Sequence, residues 1–284
     1  MTHVYNLLNS VNKELYTVLT FRHDSNNLKN LWVSDLGLTI DGRYYPDHRN
    51  FIPVRELRSD HPAIQYLQTR KVPQNRFAEL YYTDNFRAYI HQLHISGVAE
   101  FDLFGLQQTP PKQDSRIVFL SKNQIGEVTE LSTRSILAKS TDKDIRYITL
   151  KVKSSVPCCF YGLDRVKVDS LVWVVEGPFD SLFLENAVAL CGISKLCDGN
   201  IRNYFKNFVI VLDNEPSNSW VLTEYRRRIA NGDSIVIWPK HLREKDVNEL
   251  AQAGWKPQQI QQLLRENTYV GGAATTKFQE WIKA

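Results

Sequence analysis

The stretch LVWVVEGPFD (residues 171–180) decides the fold. Its five leading apolar residues are mostly β-branched or aromatic, which reads as a strand buried on both faces, the kind found in parallel sheets covered by helices. The run ends in Glu176, Gly177 lets the backbone turn sharply, and Asp180 falls on the first turn of the next element, facing back to the strand tip. Downstream, FVIVLD (208–213) repeats the pattern and again ends in a carboxylate, while SIVIW (234–238) supplies a third strand. Between the first two, FDSLFLENAVALCG (179–192) reads as a helix closed by Gly192. Residues 219–230 read as a helix stopped by Asn231 and Gly232. Strands alternating with helices imply an α/β fold built from βαβ units around a parallel sheet.

In such sheets ligands sit beyond the carboxyl ends of the strands, so the acids placed there are expected to converge. They are Glu176 and Asp180, Asp213 and Glu215, and Asp246. Each alone reads as readily as a helix cap or a turn residue. Several carboxylates together repel one another unless a cation neutralises them, and a hard divalent cation such as Mg²⁺ or Mn²⁺ matches all-oxygen donors and substrate phosphates. The cluster therefore points to metal-assisted phosphoryl chemistry.

Upstream the pattern is different. Residues 1–108 read as a mixed α+β region, with helices expected at 61–69 and 84–95 around the aromatic FAELYYT. QQTPPKQ (107–113) reads as a linker. Residues 109–169 form a basic segment with strands at RIVFL (116–120) and IRYITLKV (145–152), and the polar stretch between them suits a further strand or a helix. The units expected after it are 170–250, which holds the acids, and 251–284, a helical segment in which Thr276 and Gln279 match a capping box. Residues 112–167 hold eleven basic side chains against six acidic ones, enough for a groove that follows a few phosphates. Arg134, Arg146, Lys151, Lys153 and Arg165 are the candidates for template or triphosphate contacts, and Tyr147 and Tyr161 could stack on bases. A solvated face of a β layer would show the same charge run.

Composition sets limits. With 43% hydrophobic and 23% charged residues the chain is globular, and its apolar runs fall far short of the ~18 residues that span a bilayer. The first residues show no secretory pattern, so the cytoplasm is the expected compartment. Four cysteines without a C-x-x-C pair, and seven histidines of which only His91 and His94 share helical spacing, argue against structural zinc. No G-x-x-x-x-G-K-[ST] loop occurs, so an ATP-driven motor is not indicated. The net charge of +4 does not by itself mark a nucleic-acid protein.

With these residues in view, 171–180 resembles the first Toprim motif, a hydrophobic strand followed by E-G-x-x-D. VIVLDNE (209–215) resembles the second, a strand followed by D-x-D, and KDVNEL (245–250) the third acidic motif of primases. Upstream, RIVFL, Arg134, RYITL (146–150) and YGLDRV (161–166) are similar to the signatures of the basic half of bacterial-type primase cores. HPAIQYLQTRKVP (61–73) is similar to the amino-terminal part of primases from tailed bacteriophages. The resemblance covers roughly residues 60–250. It implies a Toprim domain behind a basic subdomain and the synthesis of short RNA primers on single-stranded DNA from nucleoside triphosphates. It further implies Mg²⁺ (or Mn²⁺) held by Asp213 and Glu215 with Asp180 and Asp246 in support, Glu176 as general base or metal-associated carboxylate, and a replicative helicase as partner. The same acids would serve a Toprim nuclease, and the basic segment a non-catalytic single-strand-binding subunit. Three departures stand out: Glu215 replaces the usual aspartate, no zinc-binding module is recognisable, and no sizeable helicase-binding domain follows residue 250.

Overall fold

The computed structural model describes residues 51–89, 113–126, 128–137, 146–151, 160–191 and 201–283. Residues 1–50, residues 90–95 of the helix expected at 84–95, all but Gln113 of the linker, Lys153, Gly192 and three of the four cysteines lie outside them. The chain divides into two compact units, one drawn from within 1–64, 77–120 and 126–153, the other from within 65–76, 121–125 and 154–284.

The first unit is built on a five-stranded sheet in sequence order: β1 (Ile52–Pro53), β2 (Leu80–Thr83), β3 (Arg116–Lys122), β4 (Val128–Ser135) and β5 (Tyr147–Lys151). The pairs β1–β2, β2–β3 and β4–β5 are antiparallel. The polar stretch left open by the sequence is the strand β4. Its residues from Val128 to Thr133 are all buried, and its hydroxyls find cross-strand partners. Thr133 Oγ1 donates to the Ile148 carbonyl at 3.2 Å, and the Ser132 and Thr149 hydroxyls meet at 3.2 Å. Buried hydroxyls paired in this way cost little, which is why a polar sequence can serve as an interior strand. Phe51, Phe86 and Tyr89 pack ring to ring beside the sheet, with residues 86–89 helical.

The second unit holds a sheet of order β10-β9-β8-β6-β7, formed by β6 (Val172–Val175), β7 (Ala187–Ala189), β8 (Phe208–Val211), β9 (Ile235–Val236) and β10 (Thr268–Tyr269). The first four are mutually parallel where paired, and β10 closes one edge antiparallel to β9. The inner strand β6 is buried along its whole length, as five apolar residues in a row require. The helices are α1 (Pro62–Thr69), α2 (Ile201–Tyr204), α3 (Ser219–Ala230), α4 (Val247–Gln252), α5 (Pro257–Glu266) and α6 (Gly271–Trp281). Asn218 caps α3 by accepting from Trp220 N at 3.0 Å, and the helix stops at Asn231, with Gly232 beyond it in the left-handed region at φ +70°.

Two expectations are corrected. Residues 179–192 are not one helix but a 3-10 turn, Asp180–Phe183, followed by β7. The switch is made at Asn186, which adopts φ +54° and ties its amide to the carbonyls of Lys167 (3.1 Å) and Leu171 (2.8 Å). Asparagine tolerates that conformation better than most residues, and the short apolar run after it has no period that separates strand from helix. Nor does the final helix open at Thr276. It begins at Gly271, and the Thr276 hydroxyl donates to the Gly272 carbonyl from inside it. Two glycines disguised that start, but Ala274, Phe278 and Trp281 recur at helical spacing and are buried, with Phe278 and Trp281 packed on Tyr225.

Candidate active site

Glu176 leaves the carboxyl end of β6, and Asp213 that of β8. Because these strands are neighbours in parallel register, Val175 lies opposite Val211, and the two acids emerge side by side. Glu176 Oε1 accepts the backbone N–H of Asp213 at 3.1 Å. Asp180 stands on the 3-10 turn that follows β6, is 7% exposed, and accepts the backbone N–H of Asn248 at 2.9 Å. Asp246 precedes α4 and caps it, accepting from Glu249 N at 2.7 Å. Glu176, Asp180, Asp213 and Asp246 thus line one cleft, walled by Val211 and Trp238. Glu215 is turned elsewhere, to Asn218 Nδ2 at 2.8 Å and Lys245 Nζ at 3.0 Å.

The chain turns after β6 as expected, with Asp180 N donating to the Gly177 carbonyl at 3.1 Å, but the φ of Gly177 is one that any residue adopts, so the glycine is needed for another reason. A side chain there would place Cβ 2.5 Å from Asp180 Oδ2, so the glycine leaves space for the buried carboxylate.

Electrostatics register the crowding. Burial, then the charge of Asp213, pushes the Glu176 carboxyl up to about 8. Burial and Asp246 push Asp213 up to about 6, against the pull of Lys245. Asp180 is driven well above the carboxylate range by burial, then by Asp246 and Asp213, and Asp246 is raised chiefly by burial. Burial alone would lower the Lys245 ammonium, but its hydrogen bond to Glu215 and the charges of Asp213 and Glu215 outweigh that and hold it up. Its Nζ lies 3.4 Å from Asp213 Oδ2. As the side chains stand, no three His, Cys, Asp or Glu among the described residues are close enough to cage one ion. The donors nonetheless fit a hard divalent cation: they are carboxylate oxygens in excess of the nearby positive charge, partly dehydrated and mutually repelling.

Two residues within the motifs had gone unassigned in the sequence. Asn214, between Asp213 and Glu215, donates Nδ2 to the carbonyls of Glu244 (3.0 Å) and Leu242 (3.3 Å), while its Oδ1 accepts from Trp281 Nε1 at 2.8 Å. The carboxyl-terminal helix α6 therefore anchors the loop that bears the second pair of acids. Lys245 sits beside Asp246 in KDVNEL, and only the fold brings it to Asp213 and Glu215.

The basic candidates separate. Arg134 and Tyr147 face each other across β4 and β5, the guanidinium 4.5 Å from the ring centre, and Arg146 next to them is exposed. Lys151 ends β5, and Lys153 lies outside the described residues. Arg165 belongs to the second unit, where it lies over Tyr161 and donates to Ser181 Oγ at 3.1 Å.

No family model matches the chain. Over 234 residues it is 27% identical to the DNA primase of Enterobacteria phage T4, a match that covers 82% of this chain and 64% of the relative. The chain thus spans a little under two thirds of that relative's length. Among solved structures it resembles the DnaG catalytic core (TM-score 0.56, 14% identity, covering 79% of this chain and 78% of that one). It also resembles the DnaG primase catalytic domain bound to single-stranded DNA (TM-score 0.53, 14% identity, 80% of each chain). A third likeness is to the zinc-binding and RNA polymerase domains of the Aquifex aeolicus primase (TM-score 0.52, 19% identity, 80% and 61%). The fold is that of a primase catalytic core, and its parallel sheet is a Toprim sheet. The likeness to primases read from the motifs thus holds in both sequence and fold. No helix among the described residues is long and apolar enough to cross a membrane.

Proposed function

We propose that this chain is a DNA primase, a nucleotidyltransferase that makes short RNA primers on single-stranded DNA. The observation behind this reading is the crowded, buried carboxylate cluster at the ends of β6 and β8, set in the fold of a primase core. The similarity to a phage DNA primase and to a catalytic domain bound to single-stranded DNA supports the template and the product. The 3′ oxygen of one nucleotide attacks the α-phosphorus of the next. One P–O bond forms as the bond to pyrophosphate breaks, and the hydroxyl loses its proton. Mg²⁺ or Mn²⁺, when bound, stabilises charge on the attacking and leaving oxygens. Asp213 would hold it, with Asp180 and Asp246 in support, and Glu215 would join by turning from Lys245 toward the cleft. Lys245 compensates the same two acids and would yield that role to the cation. Glu176, whose carboxyl is pushed into the range where it exchanges protons near neutrality, is suited to accept the hydroxyl proton or to share the metal. Arg134 on β4, Arg146 just before β5 and Lys151 at its end would follow template or triphosphate phosphates, with Lys153 and Arg165 as the remaining candidates. A replicative helicase is the proposed partner.

The test is direct. Purified protein is incubated with labelled nucleoside triphosphates, Mg²⁺ and single-stranded templates, and the products are resolved by size. New short RNA is the expected result. Shortened template would indicate a nuclease, and bound but unaltered template a non-catalytic subunit.

A further inference from the structure

Asp180 is the most enclosed of the acids, yet nothing in its own turn fixes the carboxylate. What holds it is the backbone N–H of Asn248, and Asn248 is itself held from far away in sequence. Arg70, just past α1, donates from Nη1 to Asn248 Oδ1, and Asn248 Nδ2 returns a bond to the Arg70 carbonyl at 2.9 Å. The same guanidinium donates from Nε to the Tyr66 hydroxyl at 2.8 Å and lies 4.6 Å from the ring centre of Phe179, the residue before Asp180. One planar side chain therefore grips both segments that bear acids: the turn through Phe179, and the start of α4 through Asn248. Its charge is also felt at Asp246. All these residues belong to the second unit.

We infer that Arg70 is a positioning residue for the acid cluster, acting through Asn248 and Phe179 to set where the Asp180 and Asp246 carboxylates stand. This rests on reading the cluster as a cation-binding catalytic site. Lysine cannot replace it, because an ammonium retains the charge but lacks the planar fork that reaches Tyr66 and Asn248 together and stacks on Phe179. Groups that orient metal-binding carboxylates change affinity by about 10- to 100-fold when altered.

The experiment measures Mn²⁺ binding by the loss of the free-ion electron paramagnetic resonance signal, with melting temperature and primer synthesis recorded on the same samples. Arg70→Lys, Asn248→Ala and the double variant are compared with the unaltered chain. Tyr66→Phe, which deletes a single oxygen, is the variant to use if any other fails to fold. The expected result is Mn²⁺ binding weakened about tenfold in each Arg70 and Asn248 single variant, no further loss in the double variant, and a smaller loss in Tyr66→Phe. Wild-type Mn²⁺ affinity in Arg70→Lys and Asn248→Ala overturns the inference, whether or not they melt earlier, as do additive losses. If folding confines the comparison to Tyr66→Phe, unchanged affinity in that variant overturns it. A wild-type chain that binds Mn²⁺ but makes no primers sinks the proposed function and leaves the positioning result intact.

Discussion

In the parallel sheet charge collects at the strand ends: four carboxylates share one cleft and raise one another's proton affinity. In the antiparallel sheet charge is spread along strands. Arg116 is buried within β3 against Asp114 at 2.8 Å, Arg134 lies over Tyr147, and Arg146 is exposed. The contrast separates two ways of using ionisable residues. At a parallel strand end position alone brings distant acids together, and their repulsion persists until a cation joins them. Within a strand the face decides, and one run of basic residues supplies both a structural ion pair and a surface.

The sharpest way to break this comparison is Asp213→Ala. It removes an acid from the middle of the cluster while relieving repulsion, so primer synthesis should fall at least about 100-fold with the melting temperature unchanged or higher. Synthesis at the wild-type rate would remove Asp213 from the site. Loss of folding would make the acids structural, like Asp114.

Arg116→Ala should do the reverse. Its buried partner Asp114 would be left with the more distant Arg87, whose guanidinium lies 3.9 Å away, at a cost of about 3 kcal/mol, measurable by denaturant unfolding. A change below about 1 kcal/mol would mean that the pair is not a buried structural link. Arg134→Ala with Arg146→Ala belongs between these extremes. Single-strand affinity should drop, and the slope of log affinity against log salt should shrink by about 1–2, because each phosphate contact releases counterions. An unchanged slope would assign that face to solvent.

The same contrast explains what could be read from the sequence. Glu176, Asp213 and the strands before them were legible because a buried parallel strand is a continuous apolar run and its end is marked by polarity. Asp180 followed from its spacing after the strand, and Asp246 from the KDVNEL motif. Arg116 and Arg165 were counted with the surface charges because sequence does not tell a buried arginine from an exposed one: Arg116 needs Asp114, and Arg165 needs the Tyr161 ring and Ser181. Asn186 hid β7, since a single left-handed residue changes the period without any proline or glycine. Arg70 and Trp281 left no local sign of their links to Asn248 and Asn214, which join segments more than a hundred residues apart in the first case.

The smallest expected effect concerns stability and pH. Without a divalent cation, Glu176 binds its proton up to about 8 and Asp213 up to about 6, whereas in the unfolded chain both would ionise near their ordinary values of 4.5 and 3.8. Between about pH 4 and about pH 8 the native state therefore binds more protons than the unfolded one, and stability must decline as pH rises through that window. This is the opposite of a salt-bridged carboxylate, which loses stability as pH falls. In a chelating buffer the melting temperature should fall steadily from about pH 5 to about pH 8. Mg²⁺ binds the ionised acids, so it should raise the melting temperature more at the alkaline end and flatten the profile. Asp213→Ala should flatten it as well, by lowering the repulsion that Glu176 feels. A profile that rises with pH in chelator, or one that Mg²⁺ leaves unaltered, would mean that the carboxylates are compensated by the protein itself, with Lys245 as a sufficient cation.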